Sequence, residues 1–345
     1  MPLNPLIYFI HVGKTGGTTL VKSLQLNRTV GAVKCMVTKQ NRGRRRRDAG
    51  LGYHGDKIPC YKHSQNESQL VRHIAGFFHM RGVGLSHEER TWLLNNTNVF
   101  LFTIRDPIDR IISSYNYHIN TFHNATQFPQ FQPFYTQCFD GGLDAMADTL
   151  RNGPSNLSKL LELFLKGNGK ACANMGVDAL SGHGAQGGFH FRLNYQYYKG
   201  YTVDEWSGHA VAVIRTEEMW ADVIHLDHIL NGTGDFSKHL GFKDTHGSEN
   251  YLVPYRSDID ASNAIFLCCL IFKEMEAYQQ LVLSAMNLDD TQKRETLNNM
   301  LSRCHSKALE NDPVNHPFSW RAFRRGRICT GSLRNVRNLI PDNGT

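Results

Sequence analysis

The stretch Leu6-Ile-Tyr-Phe-Ile-His-Val-Gly-Lys-Thr-Gly-Gly-Thr-Thr19 contains the strongest indication of the fold. Its first part, Leu6–Val12, is short, apolar and rich in β-branched and aromatic residues, which is typical of a buried parallel strand. A glycine-rich turn follows, and then the helical pattern Leu20-Val-Lys-Ser-Leu24. This order predicts a phosphate-binding loop, because glycines let the backbone approach an oxyanion and a helix start offers free N–H groups. Lys14 adds a mobile positive charge to the loop.

The order of residues in this loop differs from that of a nucleotide-hydrolysing P-loop. Such a loop reads G-x-x-x-x-G-K-[ST], with the lysine after the second glycine and a hydroxyl that holds magnesium. Here Lys14 precedes the pair Gly16-Gly17, and no G-K-[ST] closes the loop. On this segment alone, the alternative is an ordinary glycine turn in an α/β protein.

A second junction between a strand and a helix follows Val99–Ile104, another run typical of a buried strand. Asp106 and the proline after it predict a helix N-cap and a first helical position. Arg105 therefore leaves the strand tip beside a helix start, and Ser113 lies about two turns into that helix. An arginine fork and a hydroxyl suit a second, separate phosphate. In the alternative interpretation, Arg105 pairs with Asp109 and the serine is only a small packing residue.

Together, the two junctions resemble those of the sulfotransferases that use 3′-phosphoadenosine 5′-phosphosulfate (PAPS). In that family a lysine-containing loop after the first strand holds the 5′-phosphosulfate, and a later arginine and serine hold the 3′-phosphate. The forms H-V-x-K-T-G-G-T-T and R-D-P-x-x-R-x-x-S are most similar to the Golgi carbohydrate branch, notably the heparan sulfate 2-O- and 6-O-sulfotransferases. The loop P-K-[SA]-G-T-[TS]-W of the cytosolic members is not present. The resemblance covers residues 6–24 and 97–118, and more faintly 205–230.

The resemblance implies a role for each matching residue. Lys14 is expected to be catalytic and to bind the co-substrate PAPS, and Arg105 and Ser113 are expected to bind its 3′-phosphate. The rest of the cradle is Thr15, Gly16, Gly17, Thr18 and Thr19. No metal is required. Two further segments resemble the family: Thr216-Glu217-Glu218 after a later strand, for which an ordinary helix start is the alternative, and, faintly, the basic segment Phe323–Arg327.

Transfer to a sugar hydroxyl also needs a base, which in the carbohydrate branch is a histidine or glutamate between the two phosphate motifs. In this chain the interval contains His54, His63, His73, His79 and His87. His79 follows Val71–Phe78, which we predict to be a strand, and it is our first choice for the catalytic base. His73, His63 and His54 rank after it. For each of them the alternative is a structural role, since any one histidine among 17 is more often structural.

These expectations combine into a PAPS-dependent carbohydrate O-sulfotransferase that transfers a sulfuryl group to a glycan hydroxyl by in-line displacement. The first alternative is a P-loop nucleotide-dependent kinase, which EDTA sensitivity would distinguish. The second is a non-catalytic glycan-binding protein on the same fold, which would bind heparin without turning over PAPS.

Composition agrees with a globular enzyme that has an anionic partner. The chain has 345 residues, of which 41% are hydrophobic and 20% charged, and a net charge of +7. This charge favours a nucleotide, an acidic glycan acceptor, or both. Basic residues cluster at Arg42–Arg47 and at Arg321, Arg324, Arg325 and Arg327, although such runs are more often solvated loops. No nucleic-acid-binding motif is present, so nucleic acid is not an expected partner.

The expected location is the Golgi lumen or membrane. N-glycosylation acceptors occur at Asn27, Asn66, Asn95, Asn124, Asn156, Asn231 and Asn343, and eight cysteines suit a lumenal protein. Among the cysteines, we predict buried thiols at Cys268 and Cys269, and a disulfide between Cys304 and Cys329. No signal peptide or apolar anchor of about 20 residues is visible, so membrane attachment would need an anchor that this chain lacks.

Alternating strand and helix patterns predict an α/β fold that is P-loop-like, with a mostly parallel central sheet flanked by helices. We expect a single domain over 1–345, with a core at about 5–235 and a helical, basic C-terminal part at about 255–340. Elements are predicted as a loop at 31–65, a helix capped by Ser86 and Glu89, a loop at 121–140, helices at 142–166, a loop or lid at Gly167–Gly188, a strand at Ala210–Ile214 with a helix from Thr216, and helices near 259–285 and 290–303.

Overall fold

The computed structural model describes residues 6–24, 68–78, 95–122, 129–152, 169–182, 187–198, 209–236, 259–304 and 312–336. In chain order its elements are β1 (Ile7–Ile10), α1 (Gly17–Ser23), α2 (Gln69–His73), β2 (Ile74–Phe78), β3 (Val99–Ile104), α3 (Pro107–Phe122), a π-helix (Phe134–Cys138), α4 (Leu143–Asn152), α5 (Gly169–Leu180), α6 (Phe189–Arg192), β4 (Ala210–Arg215), α7 (Met219–Ile229), α8 (Ala261–Leu270), α9 (Phe272–Ser284), α10 (Asp290–Cys304), α11 (Trp320–Arg325) and α12 (Arg327–Ser332).

The four strands form one parallel sheet in the order β2-β1-β3-β4. Every residue of β1 and β3 is buried, as the apolar runs predict for strands covered on both faces. The predicted α/β fold with a parallel sheet is therefore confirmed. Since β1 and β3 are neighbours and run in the same direction, the loops that follow them leave the same edge of the sheet side by side.

Helices cover both faces of the sheet. On one face, Ile7 and Phe9 pack with Leu20 of α1 and Val223 of α7. On the other face, Tyr8 and Ile10 of β1 belong to a larger cluster that also includes α3 and α8 to α12. The alternation along β1 is that of a strand, whose successive side chains point to opposite faces. The helical C-terminal part thus shares its core with the sheet.

The cysteine pairing corrects the sequence prediction. Among the described residues, three disulfides join Cys138 to Cys172, Cys268 to Cys304 and Cys269 to Cys329. Cys268 and Cys269 are buried as predicted, but they are not thiols, and Cys304 does not pair with Cys329. Consecutive residues of a helix point about 100° apart. The two adjacent cysteines of α8 therefore reach two different helices, α10 and α12.

The predicted strand Val71–Phe78 is only partly correct. Its first residues belong to α2, which Ser68 caps by accepting a hydrogen bond from the Val71 N–H at 3.2 Å. The strand itself is β2, Ile74–Phe78. A serine N-cap satisfies a helix donor locally, and this outweighs the β propensity of the residues that follow.

The predicted loop Gly167–Gly188 is the largest error. It contains α5, a twelve-residue helix. Cys172, Val177 and Leu180 bury one side of this helix, so tertiary packing overrides the low helix propensity of its glycines.

Smaller differences concern helix boundaries. The helix predicted from Thr216 begins at Met219, because the Thr216 hydroxyl donates to the Ile104 carbonyl at 2.9 Å. The helix predicted near 259–285 is two helices that meet at Ile271. The predicted loop at 31–65, the arginine run and the helix capped by Ser86 lie outside the described residues. No helix that the structure describes is long and apolar enough to span a membrane.

Candidate functional site

The loop between β1 and α1 makes a tight turn. Lys14 and Gly16 have φ angles of 65° and 74°, in the left-handed region that a lysine adopts only rarely. A Cβ atom on Gly16 would lie 2.5 Å from the Met219 methyl group, and one on Gly17 would lie 2.0 Å from the His11 ring. The glycine pair is therefore required by backbone conformation at the first position and by close packing at the second.

The threonines of the loop have different environments. Thr15 is fully buried, and its hydroxyl donates to the Val12 carbonyl at 2.8 Å and lies 2.6 Å from the Thr103 hydroxyl. These bonds tie the loop to the end of β3, so the contribution of Thr15 to a ligand is limited to its backbone. Thr18 and Thr19 are partly exposed in the first turn of α1.

Lys14 reaches from this loop to helix α3. Its Nζ atom lies 4.1 Å from the centre of the Tyr117 ring, within the range of a cation–π interaction. Tyr117 follows Ser113 by one helical turn, roughly 6 Å along the axis, and Ser113 in turn follows Asp109 by one turn. Residues four apart share one side of a helix. The structure thus brings Lys14 to the side of α3 that also carries Ser113.

Arg105 lies at the carboxyl end of β3, as predicted. Its backbone N–H donates to the Tyr195 hydroxyl at 2.7 Å, and that hydroxyl donates to the Arg105 carbonyl at 2.7 Å. The Nε atom of Arg105 is buried without a hydrogen-bond partner among the described residues. The alternative pairing with Asp109 is not formed. Asp109 instead accepts hydrogen bonds from two nitrogens of Arg303, at 2.6 and 3.2 Å.

The start of α3 follows the sequence prediction closely. The Asp106 carboxylate accepts hydrogen bonds from the N–H groups of Ile108 and Asp109, at 2.9 and 3.1 Å, and Pro107 is the first helical residue. Burial raises the pKa of Asp106 to about 6, against the opposing effect of the Arg303 charge. The pKa of this carboxyl group therefore lies well above the ordinary value of 3.8.

A third carboxyl group, Glu217, belongs to the same neighbourhood. Burial raises its pKa, the charge of Arg105 lowers it, and the charge of Asp109 raises it. The Arg105 charge therefore acts on Glu217, while Asp106 and Asp109 face a second cation, Arg303. The sequence analysis missed Arg303, because it lies in α10 and no local pattern connects it to this junction.

Two histidines outside the predicted interval lie next to the tyrosine that holds Lys14. The Nδ1 atom of His190 is 2.9 Å from Nε2 of His118, and the His190 ring makes an edge contact with Tyr117 at 5.0 Å between centres. Burial and the nearby charge of Lys14 hold the pKa of His118 well below its usual value. His190 also packs under the loop, because a Cβ on Gly13 would lie 3.0 Å from its ring.

The second arginine of the R-D-P-x-x-R pattern connects secondary-structure elements in the protein interior. Arg110 is fully buried, donates to Glu274 at 2.8 Å and donates to the His190 carbonyl at 2.9 Å. It therefore joins α3 to α9 and to the histidine pair. Burial raises the pKa of Glu274, and the Arg110 charge lowers it.

The predicted bases fall in different places. His79, our first choice, lies outside the described residues, as do His54, His63 and His87. His73 is the last residue of α2 and immediately precedes β2. Because the strands are parallel, His73 lies at the sheet edge opposite that of Lys14 and Arg105, which removes it from the ranking.

Within the described ranges, no three His, Cys, Asp or Glu side chains are grouped so that they could hold a metal ion. Comparison with known proteins gives no match: no family model, no curated protein and no solved structure is sufficiently similar to this chain. A functional assignment must therefore come from the two junctions themselves, where a lysine and an arginine with a nearby serine project from adjacent parallel strands.

Proposed function

We propose that this protein is a PAPS-dependent carbohydrate O-sulfotransferase built on a P-loop-like α/β fold. The observation that carries the proposal is the position of Lys14, whose ammonium lies 4.1 Å from the Tyr117 ring centre, one helical turn from Ser113. Two loops from neighbouring parallel strands thus supply Lys14 beside α3 and Arg105 just before its first residue. This arrangement suits a donor with two separated phosphate groups.

The surroundings of Arg105 and Ser113 support a site for the 3′-phosphate. The Nε atom of Arg105 is buried without a partner among the described residues. Ser113 is 8% exposed. Buried donors are rarely left unpaired in native proteins. A phosphate oxygen would satisfy the Arg105 Nε–H, because the planar guanidinium suits phosphate, and the Ser113 hydroxyl would be a second donor to it.

In the proposed reaction, the acceptor hydroxyl oxygen forms a bond to sulfur while the bond between sulfur and the 5′-phosphate oxygen breaks. The electron pair of the broken bond goes to the departing 3′,5′-bisphosphate, and the hydroxyl proton goes to a base. Lys14 would stabilise the negative charge that develops on the leaving oxygen, so its effect is larger in the transition state than before it. His79 remains the proposed base.

The disulfides support the proposed lumenal location. Three of them occur in the described part of the chain, and disulfides persist in oxidising compartments such as the secretory pathway. The acceptor at Asn231 also lies in an exposed turn after α7, where a glycan would find room. We therefore propose a Golgi glycoprotein whose acceptor is a carbohydrate, in particular an anionic glycan.

The proposal is tested by comparing 3′-phosphoadenosine 5′-phosphate (PAP) with 5′-AMP in titration calorimetry. Since loss of a charge-assisted hydrogen bond costs about 1.5–3 kcal/mol, PAP should bind roughly 10- to 150-fold more tightly. Ser113→Ala should lower the affinity for PAP and leave the affinity for 5′-AMP unchanged. Ser114→Ala is the matched control, because the Ser114 hydroxyl donates to the Arg110 carbonyl at 2.8 Å within the helix.

Equal affinities of the wild-type protein for the two nucleotides would overturn the two-phosphate site. Transfer of labelled sulfate from PAPS to a panel of glycans then tests the activity itself. A protein that binds PAP but sulfates no glycan on the panel would contradict the assignment as a carbohydrate sulfotransferase.

A further inference from the structure

The basic C-terminal segment has a defined shape in the structure. Arg325, Arg327 and Arg334 line a surface cleft of about 390 Å³, together with Thr330 and Gly331. This volume is within the range of sites for small ligands, about 300–1,000 Å³. All five residues are exposed.

The cleft arginines differ from their neighbours in charge compensation. Arg321 lies 3.5 Å from Glu276, and Arg324 lies over the Phe272 ring at 5.8 Å. By contrast, the side chains of Arg325, Arg327 and Arg334 make no ion pair or hydrogen bond to another described residue, and no acidic residue is among the described cleft residues. Three like charges in one cleft repel each other, and a bound polyanion would relieve that repulsion.

The framework that carries these arginines is firmly attached to the core. The disulfide between Cys269 and Cys329 ties α12 to α8, and Trp320 of α11 is buried, with its indole N–H donating to Gln279 at 3.1 Å. The Thr330 hydroxyl donates to the Gly326 carbonyl at 3.0 Å across the junction of α11 and α12. The cleft is therefore preorganised, and binding would cost mainly the ordering of the arginine side chains.

We propose that this cleft, whose described lining includes none of Lys14, Arg105 and Ser113, is a second anion site, which binds an acidic polysaccharide through its sulfate or carboxylate groups. The choice of a polysaccharide rests on the proposed function and on the lining. Guanidinium forks match sulfate and carboxylate oxygens. The described lining offers no aromatic ring on which a nucleic-acid base could stack. Ile328, next to the lining in sequence, is a single exposed apolar side chain and does not form a surface for membrane insertion.

The test measures binding of a fluorescent heparin decasaccharide across a series of salt concentrations. Arg325→Gln/Arg327→Gln/Arg334→Gln should weaken binding at least about tenfold near physiological salt, and it should reduce the slope of log K against log salt by about two, as expected for three lost contacts to a linear polyanion. The matched control is Lys293→Gln/Arg294→Gln/Arg321→Gln, which removes the same charge outside the cleft and should stay within about twofold of wild type.

Thermal melting checks that the variants fold. If the triple variant does not fold, the single variant Arg334→Gln replaces it, and its heparin affinity should fall by a few fold. Absence of heparin binding by the wild-type protein, or equal losses in the two triple variants, would overturn the proposal. So would tighter and more cleft-dependent binding of single-stranded RNA or of vesicles containing phosphatidylserine. PAP titration of the same proteins separates the two proposals: cleft-dependent heparin binding without PAP binding supports the cleft and overturns the nucleotide site.

Discussion

The two junctions of the candidate site hold their cations in opposite ways. At the end of β1, the Lys14 ammonium contacts the face of an aromatic ring, which attracts a cation without neutralising it. At the end of β3, the charge of Arg105 acts on the Glu217 carboxyl group, and a second cation, Arg303, lies against Asp106 and Asp109. The comparison indicates a division of labour. In the proposed enzyme, the first junction would supply an ammonium for chemistry, while the second would recognise a phosphate in a way that depends on the protonation of its surroundings.

The largest expected effect concerns the proposed catalytic base, and it is the reference for the smaller effects expected at the two junctions. His79→Ala should lower the rate of sulfate transfer about 100- to 10,000-fold and leave PAP affinity nearly unchanged, because a general base acts only on the acceptor proton. The rate of the wild-type enzyme should rise with pH through a group that titrates near 6–7, since only neutral imidazole accepts a proton.

Four histidine substitutions are the controls for this prediction. His54→Ala and His63→Ala test the other histidines of the interval, His73→Ala tests the opposite edge of the sheet, and His190→Ala tests the histidine packed beneath Gly13. If one of these abolished transfer while His79→Ala stayed active, the base would belong there and the strand-end alignment would be wrong.

The next effect separates the two junctions directly. Lys14→Ala should reduce turnover at saturating PAPS about 100- to 1,000-fold, because its charge is most important as the leaving oxygen becomes negative. Arg105→Ala should instead weaken PAP binding and leave turnover at saturation within a few fold of wild type. Measuring kcat and PAP affinity for both variants checks this division. Near-normal turnover of Lys14→Ala, or the same loss pattern in both variants, contradicts it.

A smaller effect concerns pH at the second junction. Burial raises the pKa of Asp106 to about 6, so lowering the pH from about 7.5 to 5.5 protonates most of a carboxylate at the junction where the 3′-phosphate is proposed to bind. PAP affinity should therefore rise relative to that of Asp106→Asn, by about fivefold over this range. Asparagine keeps the N-cap acceptor, so the variant should fold. Because both proteins bind the same nucleotide, the comparison cancels the titration of the phosphate itself. Parallel pH profiles of PAP affinity would contradict a place for Asp106 in the site.

The same raised pKa has a consequence for stability, and its sign can be worked out. In the folded protein Asp106 has a pKa above its ordinary value of 3.8, so the native state binds more protons than the unfolded state between about pH 4 and 6. The free energy of unfolding should therefore fall as the pH rises through this window. Asp106→Asn should remove that part of the pH dependence, as urea denaturation at several pH values can measure.

Local patterns account for what the sequence predicted correctly. The apolar runs of β1 and β3 and the Asp-Pro start of α3 are set by neighbours in the chain, and the structure has them where predicted. Contacts between distant residues account for what it missed. Neither the pairing of Cys268 with Cys304 nor the contact of Arg303 with Asp109 has a local signature. Helix α5 was mistaken for a loop because its glycines conceal an apolar side that only tertiary packing reveals.

The smallest expected effect tests the feature on which the comparison depends, the ring under Lys14. Tyr117→Leu should lower turnover about two- to fivefold, because a cation–π contact near the surface is worth about 0.5–1 kcal/mol and its loss lets the ammonium leave its position. Tyr117→Phe is the matched variant, since it keeps the ring face and should remain within about twofold of wild type. PAP affinity should change little in either protein. If Tyr117→Phe lost as much activity as Tyr117→Leu, the tyrosine hydroxyl and not the ring would be the functional group, and the first junction would hold its cation by hydrogen bonding.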